Sequence, residues 1–330
     1  MVYFVYKIKN IEEKTMNSYS LSVYKITINK RLKKENLENL SNFDGGKDFL
    51  KLVDSMFYSW RDDLTRKVVK DTENKKVSRL RKDANGGWIY HRHQTYIDGI
   101  IESGEYGTQE EIINIETGEA KYTKTKNDAA LVPFYFMMYI EPNTEKGYLI
   151  LERIGNIGIY SVLEHSIREF IAPQMSDHFT LSIVPYLVPQ VLKINLAAVG
   201  GAKKVVLRGV GRNQFKDMKA DNNFSECSTE VSFVAPKNKF IKQVTEVIQS
   251  LKGKKEDEPY KVNNIECQDV AFELDINGSR RTISVAKMTS IGMNIDITKQ
   301  VQNDTTGYPS YKSLLEQANV IISYLMTKNQ

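Results

Sequence analysis

Residues 131–154 of the 330-residue chain read LVPFYFMMYIEPNTEKGYLILERI. Residues 131–140 are almost entirely apolar, residues 142–147 contain Pro, Asn and Gly, and residues 148–154 are again mostly apolar. Two short apolar runs joined by a turn predict neighbouring central strands that are buried on both faces. The apolar spacing then changes to three and four over residues 159–171, which predicts a helix packed on those strands.

Further strands and helices are predicted on both sides of this stretch. Residues 18–29 and 89–97 approach the alternation of strands, and residues 49–69 have the spacing of an amphipathic helix. Beyond residue 175 the pattern predicts strands at 179–184, 204–210, 231–234 and 293–297, a hairpin at 270–285 around Asn277-Gly278, and helices at 190–199, 240–251 and 310–326.

The predicted class is α+β, in two domains. We expect an antiparallel β-rich domain with packed helices at residues 1–174 and an α+β domain at residues 175–330, because residues 173–180 are polar. The first 15 residues interrupt a short apolar stretch with Lys7 and Lys9, and only two cysteines occur. These features predict a cytoplasmic protein without a membrane partner.

The positive charge is concentrated in one segment. The net charge is +5, and residues 66–82 contain eight basic residues against two acidic ones. Clustered cations can follow a nucleic-acid backbone without reading its bases, although such runs also occur on solvated helix faces or exposed linkers. The predicted nucleic-acid contacts are Arg66, Lys67, Lys70, Lys75, Lys76, Arg79, Arg81, Lys82 and Arg92, and possible further contacts are Lys203, Lys204, Arg208 and Arg212.

His91 and His93 form the first candidate catalytic site. Two of the four histidines lie two residues apart on a predicted strand, so both imidazoles would point to one face. That arrangement suits acid–base chemistry or metal ligation, with Asp98 or Glu102 supplying a carboxylate if the chain folds back. The alternative is a polar strand face that contacts a phosphate backbone.

Glu119 and Lys121 form the second candidate. An acidic residue two positions before a lysine is one element of metal-dependent nuclease sites, where carboxylates hold Mg²⁺ or Mn²⁺. Such triplets are common by chance. The sequence contains no P-loop, dinucleotide-binding or serine-hydrolase motif, and it identifies no metal ligand set.

Two passages resemble known proteins. Residues 146–171 (KGYLILERIGNIGIYSVLEHSIREFI) and residues 296–325, with Gly307-Tyr308-Pro309 before the last predicted helix, resemble uncharacterised bacterial proteins of mobile islands that are associated with anti-phage defence. The resemblance assigns no catalytic residue. It implies a partner that is phage nucleic acid or a phage protein.

The sequence therefore predicts an anti-phage defence component that binds nucleic acid through a basic surface, largely independently of base sequence. One alternative is a nuclease that uses the histidines or a metal ion. The other is a protein-interaction subunit that senses a phage protein.

Overall fold

The structure is a computed structural model. It describes residues 18–31, 33–61, 68–186, 188, 190–191, 201–210, 229–237, 239, 241, 259–262, 265–276, 279–284 and 294–326. The predicted helices at 190–199 and 240–251 lie almost wholly outside these residues, as do the candidate contacts Arg66, Lys67 and Arg212.

Strands predominate in the described part of the chain, and all their pairings are antiparallel. The protein is therefore a mixed α+β protein, as predicted. The helices are α1 (Phe49–Trp60), α2 (Tyr160–Ile171), a short 3-10 helix (Ala172–Gln174) and α3 (Tyr311–Met326). The strands are β1 (Tyr19–Lys30), β2 (Lys33–Leu37), β3 (Val69–Asp71), β4 (Lys76–Leu80), β5 (Tyr90–Arg92), β6 (Tyr96–Glu105), β7 (Glu110–Ile113), β8 (Ala120–Lys124), β9 (Val132–Tyr139), β10 (Gly147–Ile154), β11 (Ile157–Gly158), β12 (Phe179–Pro185), β13 (Lys204–Arg208), β14 (Glu230–Val234), β15 (Tyr260–Val262), β16 (Ile265–Cys267), β17 (Asp269–Ile276), β18 (Ser279–Ser284) and β19 (Asn294–Asp296).

The larger sheet is built around the stretch that the sequence singled out. Its main order is β12-β1-β10-β9-β6-β4-β3, and β2, β5, β11 and β19 pair at its margins. Strands β9 and β10 are neighbours at its centre, with Tyr139 opposite Tyr148. The prediction of two adjacent buried strands is confirmed.

Helices cover both faces of this sheet. Phe57 of α1 stacks on Phe136, with ring centroids 4.7 Å apart, and α2 packs on the same face. Asp98 lies opposite Met137, the residue after Phe136, so it belongs to the other face. The first residue of α3, Tyr311, bonds to Asp98 on that face.

A second core lies in the sheet β14-β13-β17-β18 and includes Leu207 and Phe272. The predicted hairpin within residues 270–285 is present as β17 and β18, with Ile276 opposite Ser279. Strands β12 and β19 and helix α3 follow residue 174 but belong to the first sheet or its core. The division at residue 174 remains a prediction.

Residues 69–80 of the basic segment form a hairpin of β3 and β4. Helix α1 begins after Asp48, whose carboxylate accepts the Lys51 N–H at 3.0 Å, and it ends at Trp60. The predicted helix over residues 49–69 is therefore wrong at its end, because Val69 starts a strand that pairs with β4. No helix among the described residues is long and apolar enough to cross a membrane.

Candidate functional site

The strands that pair with one edge of β6 carry three of the predicted nucleic-acid contacts, Lys76, Arg79 and Arg92. Both β4 and β5 pair with this edge, β4 with residues 101–105 and β5 with residues 97–99. Lys76 is opposite Glu105, and Arg92 is opposite Ile97. Eight residues of strand separate these positions, so the edge is roughly 27 Å long at the rise of a β-strand.

Carboxylates offset part of the positive charge on this edge. The Nε atoms of Arg79 and Arg81 lie 2.8 and 3.8 Å from oxygens of Glu102. The Nε atom of Arg92 lies 4.0 Å from Asp54. Ion pairs on exposed groups contribute little to stability, but each reduces the charge that a phosphate would meet.

Three lysines lie at one end of this edge. Lys70 lies on β3, Lys75 in the turn after it, and Lys76 at the start of β4. Lys70 and Lys75 are exposed, and in the described structure none of the three forms an ion pair. Lys75 has a φ of 52°, in the left-handed region, and this turn holds its backbone at the tip of the hairpin. We call Lys70, Lys75 and Lys76 the lysine tip.

The second basic patch belongs to the other sheet. Lys204 and Arg208 are the ends of β13, which does not pair with β6. Arg208 lies 3.0 Å from Glu230 and 3.6 Å from Asp269, and the Lys203 ammonium donates to the Lys239 carbonyl at 3.4 Å. The described contacts thus give no connection between this patch and the lysine tip.

The two candidate histidines occupy a hairpin at the opposite end of β6. Strand β5 ends at Arg92, and the His93 N–H donates to the Tyr96 carbonyl at 2.8 Å across the turn. The His93 ring stacks on Tyr96, with centroids 4.1 Å apart. His91 lies directly opposite Asp98, so the chain folds back as the carboxylate hypothesis required.

Asp98 is the centre of a buried polar cluster. Its carboxylate accepts the Tyr311 hydroxyl at 2.6 Å and the Tyr135 hydroxyl at 3.3 Å, and the side chain is fully buried. Its other oxygen lies 3.5 Å from His91 Nδ1. Burial raises the pKa of Asp98, against the lowering effects of the Tyr311 hydrogen bond and of His91.

Tyr311 connects this carboxylate to the surface. Its hydroxyl donates to Asp98 and lies 2.9 Å from His91 Nδ1, from which it can accept a hydrogen bond. Burial, followed by the hydrogen bond to Asp98, raises the pKa of Tyr311. The chain from His91 through Tyr311 to Asp98 can hold one tautomer of a half-exposed imidazole, as acid–base sites do. Glu102, the other candidate carboxylate, pairs with Arg79 instead.

Glu119 and Lys121 lie elsewhere, on the β7–β8 hairpin. Their charged atoms are 4.0 Å apart, and both side chains are largely exposed. The hairpin forms its own two-stranded sheet, and no described contact joins this pair to Asp98. Within the described ranges, no group of three or more His, Cys, Asp or Glu side chains is arranged to hold a metal ion.

Sequence reasoning missed a second buried acid, Glu152. The β9–β10 ladder ends at Phe136 and Leu151, and beyond it the Glu152 carboxylate accepts the Tyr135 N–H at 2.8 Å. Burial raises the pKa of Glu152 to about 8. The signal was a single Glu within the apolar run 148–154, which was already predicted to be buried.

Glu152 also lines a pocket of about 530 Å³. The pocket lies between Arg81 and Glu102 on one side and the loop before α3, including Asp304 and Tyr308, on the other.

No protein-family model matches this chain, and no curated protein matches it. The function is therefore argued from the arrangement of its residues.

Proposed function

We propose that the protein binds nucleic acid along the β6 edge, through the phosphate backbone and largely independently of base sequence, in an anti-phage defence setting. The observation that carries this proposal is the row of cations on β4 and β5, the two strands that pair with one edge of β6, with Lys70 beside them on β3. An edge of roughly 27 Å matches about eight base pairs at 3.4 Å each.

The two ends of the edge support different contacts. The lysine tip offers ammonium groups that phosphates can approach without displacing a carboxylate. At the other end, the stacked pair His93–Tyr96 offers an aromatic surface next to Arg92. Aromatic rings near cations favour contact with unpaired bases, so this end suits single strands or frayed ends.

The test is binding of the purified chain to labelled single- and double-stranded DNA and RNA at two salt concentrations, with Mg²⁺ or Mn²⁺ added in parallel. The proposal predicts binding that weakens strongly as salt rises and varies little with base sequence. Absence of binding to every probe would refute it. Cleavage would favour the nuclease alternative, and substitution of His91 by Ala would then abolish cleavage while sparing binding.

A specific observation favours a second candidate, contact with a protein. The β7–β8 hairpin exposes apolar side chains on both strands and at its tip, with Ile115 94% exposed. Exposed apolar clusters mark interaction sites more often than isolated apolar residues do. In a phage challenge of expressing cells, loss of protection on Ile115→Asp, with full protection by a lysine-tip variant, would favour this candidate.

A further inference from the structure

We propose that the pocket around Glu152 binds a small organic cation, a primary amine or guanidinium on a short apolar body, with the Glu152 carboxylate as its counter-ion. The pocket contains none of the lysine-tip residues, and it shares Arg81 and Glu102 with the β6 edge.

The Glu152 carboxyl group is buried and only partly hydrogen-bonded in the described structure. The side chain is 1% exposed, and Oε2 already accepts the Tyr135 N–H. The other oxygen, Oε1, is buried and has no hydrogen-bond partner in the described structure. A buried polar atom without a partner is destabilising, and an N–H donor from a ligand would satisfy it.

The pocket wall contains more acidic than basic residues. Four acidic residues line it, Asp83, Glu102, Glu152 and Asp304, against two basic ones, Arg81 and Lys82. Arg81 lies 3.8 Å from Glu102, and the Lys82 ammonium lies 4.5 Å from the centre of the Trp88 ring. The wall thus has an excess of negative charge, which favours a cation over a phosphate or a carboxylate.

The size and lining of the pocket suit a ligand with a short apolar body. Ile100, Pro133 and Leu314 contribute apolar surface, and Tyr311 adds an aromatic ring. A volume of about 530 Å³ lies within the usual range for small-molecule sites. An amine on a four- or five-carbon body would pair its charge with Glu152 and cover this apolar surface. Pairing is required, because a buried cation without a counter-ion is strongly unfavourable.

Ionisation of Glu152 accompanies binding of a cation. The pKa of Glu152 is about 8, so at pH 7 the empty pocket holds a mostly protonated carboxyl group that must release its proton when an ammonium group enters. The charged and titratable groups on the surrounding elements are Arg81, Lys82, Asp83, Glu102, Tyr135, Asp304, Tyr308 and Tyr311.

The test is calorimetric titration of the full chain with n-butylamine, agmatine and the uncharged n-butanol, at pH 7 in two buffers of different ionisation enthalpy. We expect both amines to bind, n-butanol to bind at least about tenfold more weakly, and nearly one proton to be released per bound amine. Glu152→Gln should weaken amine binding at least about tenfold, whereas the exposed Glu145→Gln should not change it.

Three results would overturn the proposal. They are equal affinity for n-butanol, unchanged amine binding by Glu152→Gln, and no amine binding by the wild-type chain at concentrations up to about 10 mM. If Glu152→Gln does not fold, the number of protons that the wild-type chain releases per bound amine tests the proposal by itself. Binding without proton release would place the amine elsewhere.

Discussion

Replacing Glu152 by glutamine should change how the stability of the protein depends on pH. In the folded chain burial raises the pKa of Glu152 to about 8, whereas an unfolded chain has the ordinary value of 4.5. A folded-state pKa above the unfolded one adds stability that is fully present below pH 4.5 and is lost as the pH rises through 8. Glutamine has a similar shape but does not titrate, so the variant lacks this loss.

The size of this change in stability follows from the titration of one group, Glu152. Between pH 5 and pH 8 the folded chain retains a proton at Glu152 that the unfolded chain has largely released. Each pH unit contributes about 1.4 kcal/mol, and less where either state is partly titrated. From pH 5 to pH 8 the free energy of unfolding of the wild-type chain should therefore fall by about 3.5 kcal/mol relative to that of Glu152→Gln. The side chain is almost fully buried, so solvent screening does not reduce this figure.

The assay is urea unfolding of the wild-type chain, Glu152→Gln and the exposed control Glu145→Gln at pH 5, 6, 7 and 8. The control should follow the wild type at every pH. Asp98, whose pKa burial also raises, is present in all three chains, so its contribution cancels in the comparison. Parallel pH profiles for the wild type and Glu152→Gln would mean that Glu152 titrates alike in the folded and unfolded chains, contrary to this prediction.

Three further substitutions test the packing around the site by urea unfolding. Tyr311→Phe removes the hydroxyl that donates to Asp98 and should lower the free energy of unfolding by about 1–3 kcal/mol. Gly104→Ala would place its Cβ 2.1 Å from the Ala130 carbonyl oxygen, so the backbone must shift, at about 1–3 kcal/mol. Phe57→Ala removes a fully buried ring and should cost about 3–5 kcal/mol. A loss below about 0.5 kcal/mol, the size of an ordinary surface substitution, would contradict the corresponding contact.

The central strands were predictable because their signal is local. Two short apolar runs joined by a turn are compatible with few structures other than paired buried strands. In the structure the two runs form β9 and β10. The end of α1 was not predictable in the same way. Apolar residues continue at helical spacing through Val68, yet residues 69–71 pair with β4, and this tertiary pairing overrides the local preference.

The candidate site was predictable only in part. The spacing of His91 and Asp98 allowed a hairpin to bring them together, and the register does so. Tyr311 reaches Asp98 across 213 residues, and no pattern in the sequence encodes that contact. Likewise, the sequence showed that Glu152 would be buried, but the missing partner of Oε1 depends on where the β9–β10 ladder ends.

The salt dependence of nucleic-acid binding reports how many phosphates the lysine tip contacts. Its slope should be measured for the wild-type chain, for a lysine-tip variant with Lys70, Lys75 and Lys76 replaced by Gln, and for a control with three other exposed lysines replaced by Gln. These control lysines are Lys121, Lys146 and Lys299. We expect the lysine-tip variant to lose affinity for every base sequence and its slope on duplex DNA to fall by about 2–3, whereas the control should keep the wild-type slope. Equal slopes for the two variants would contradict this expectation.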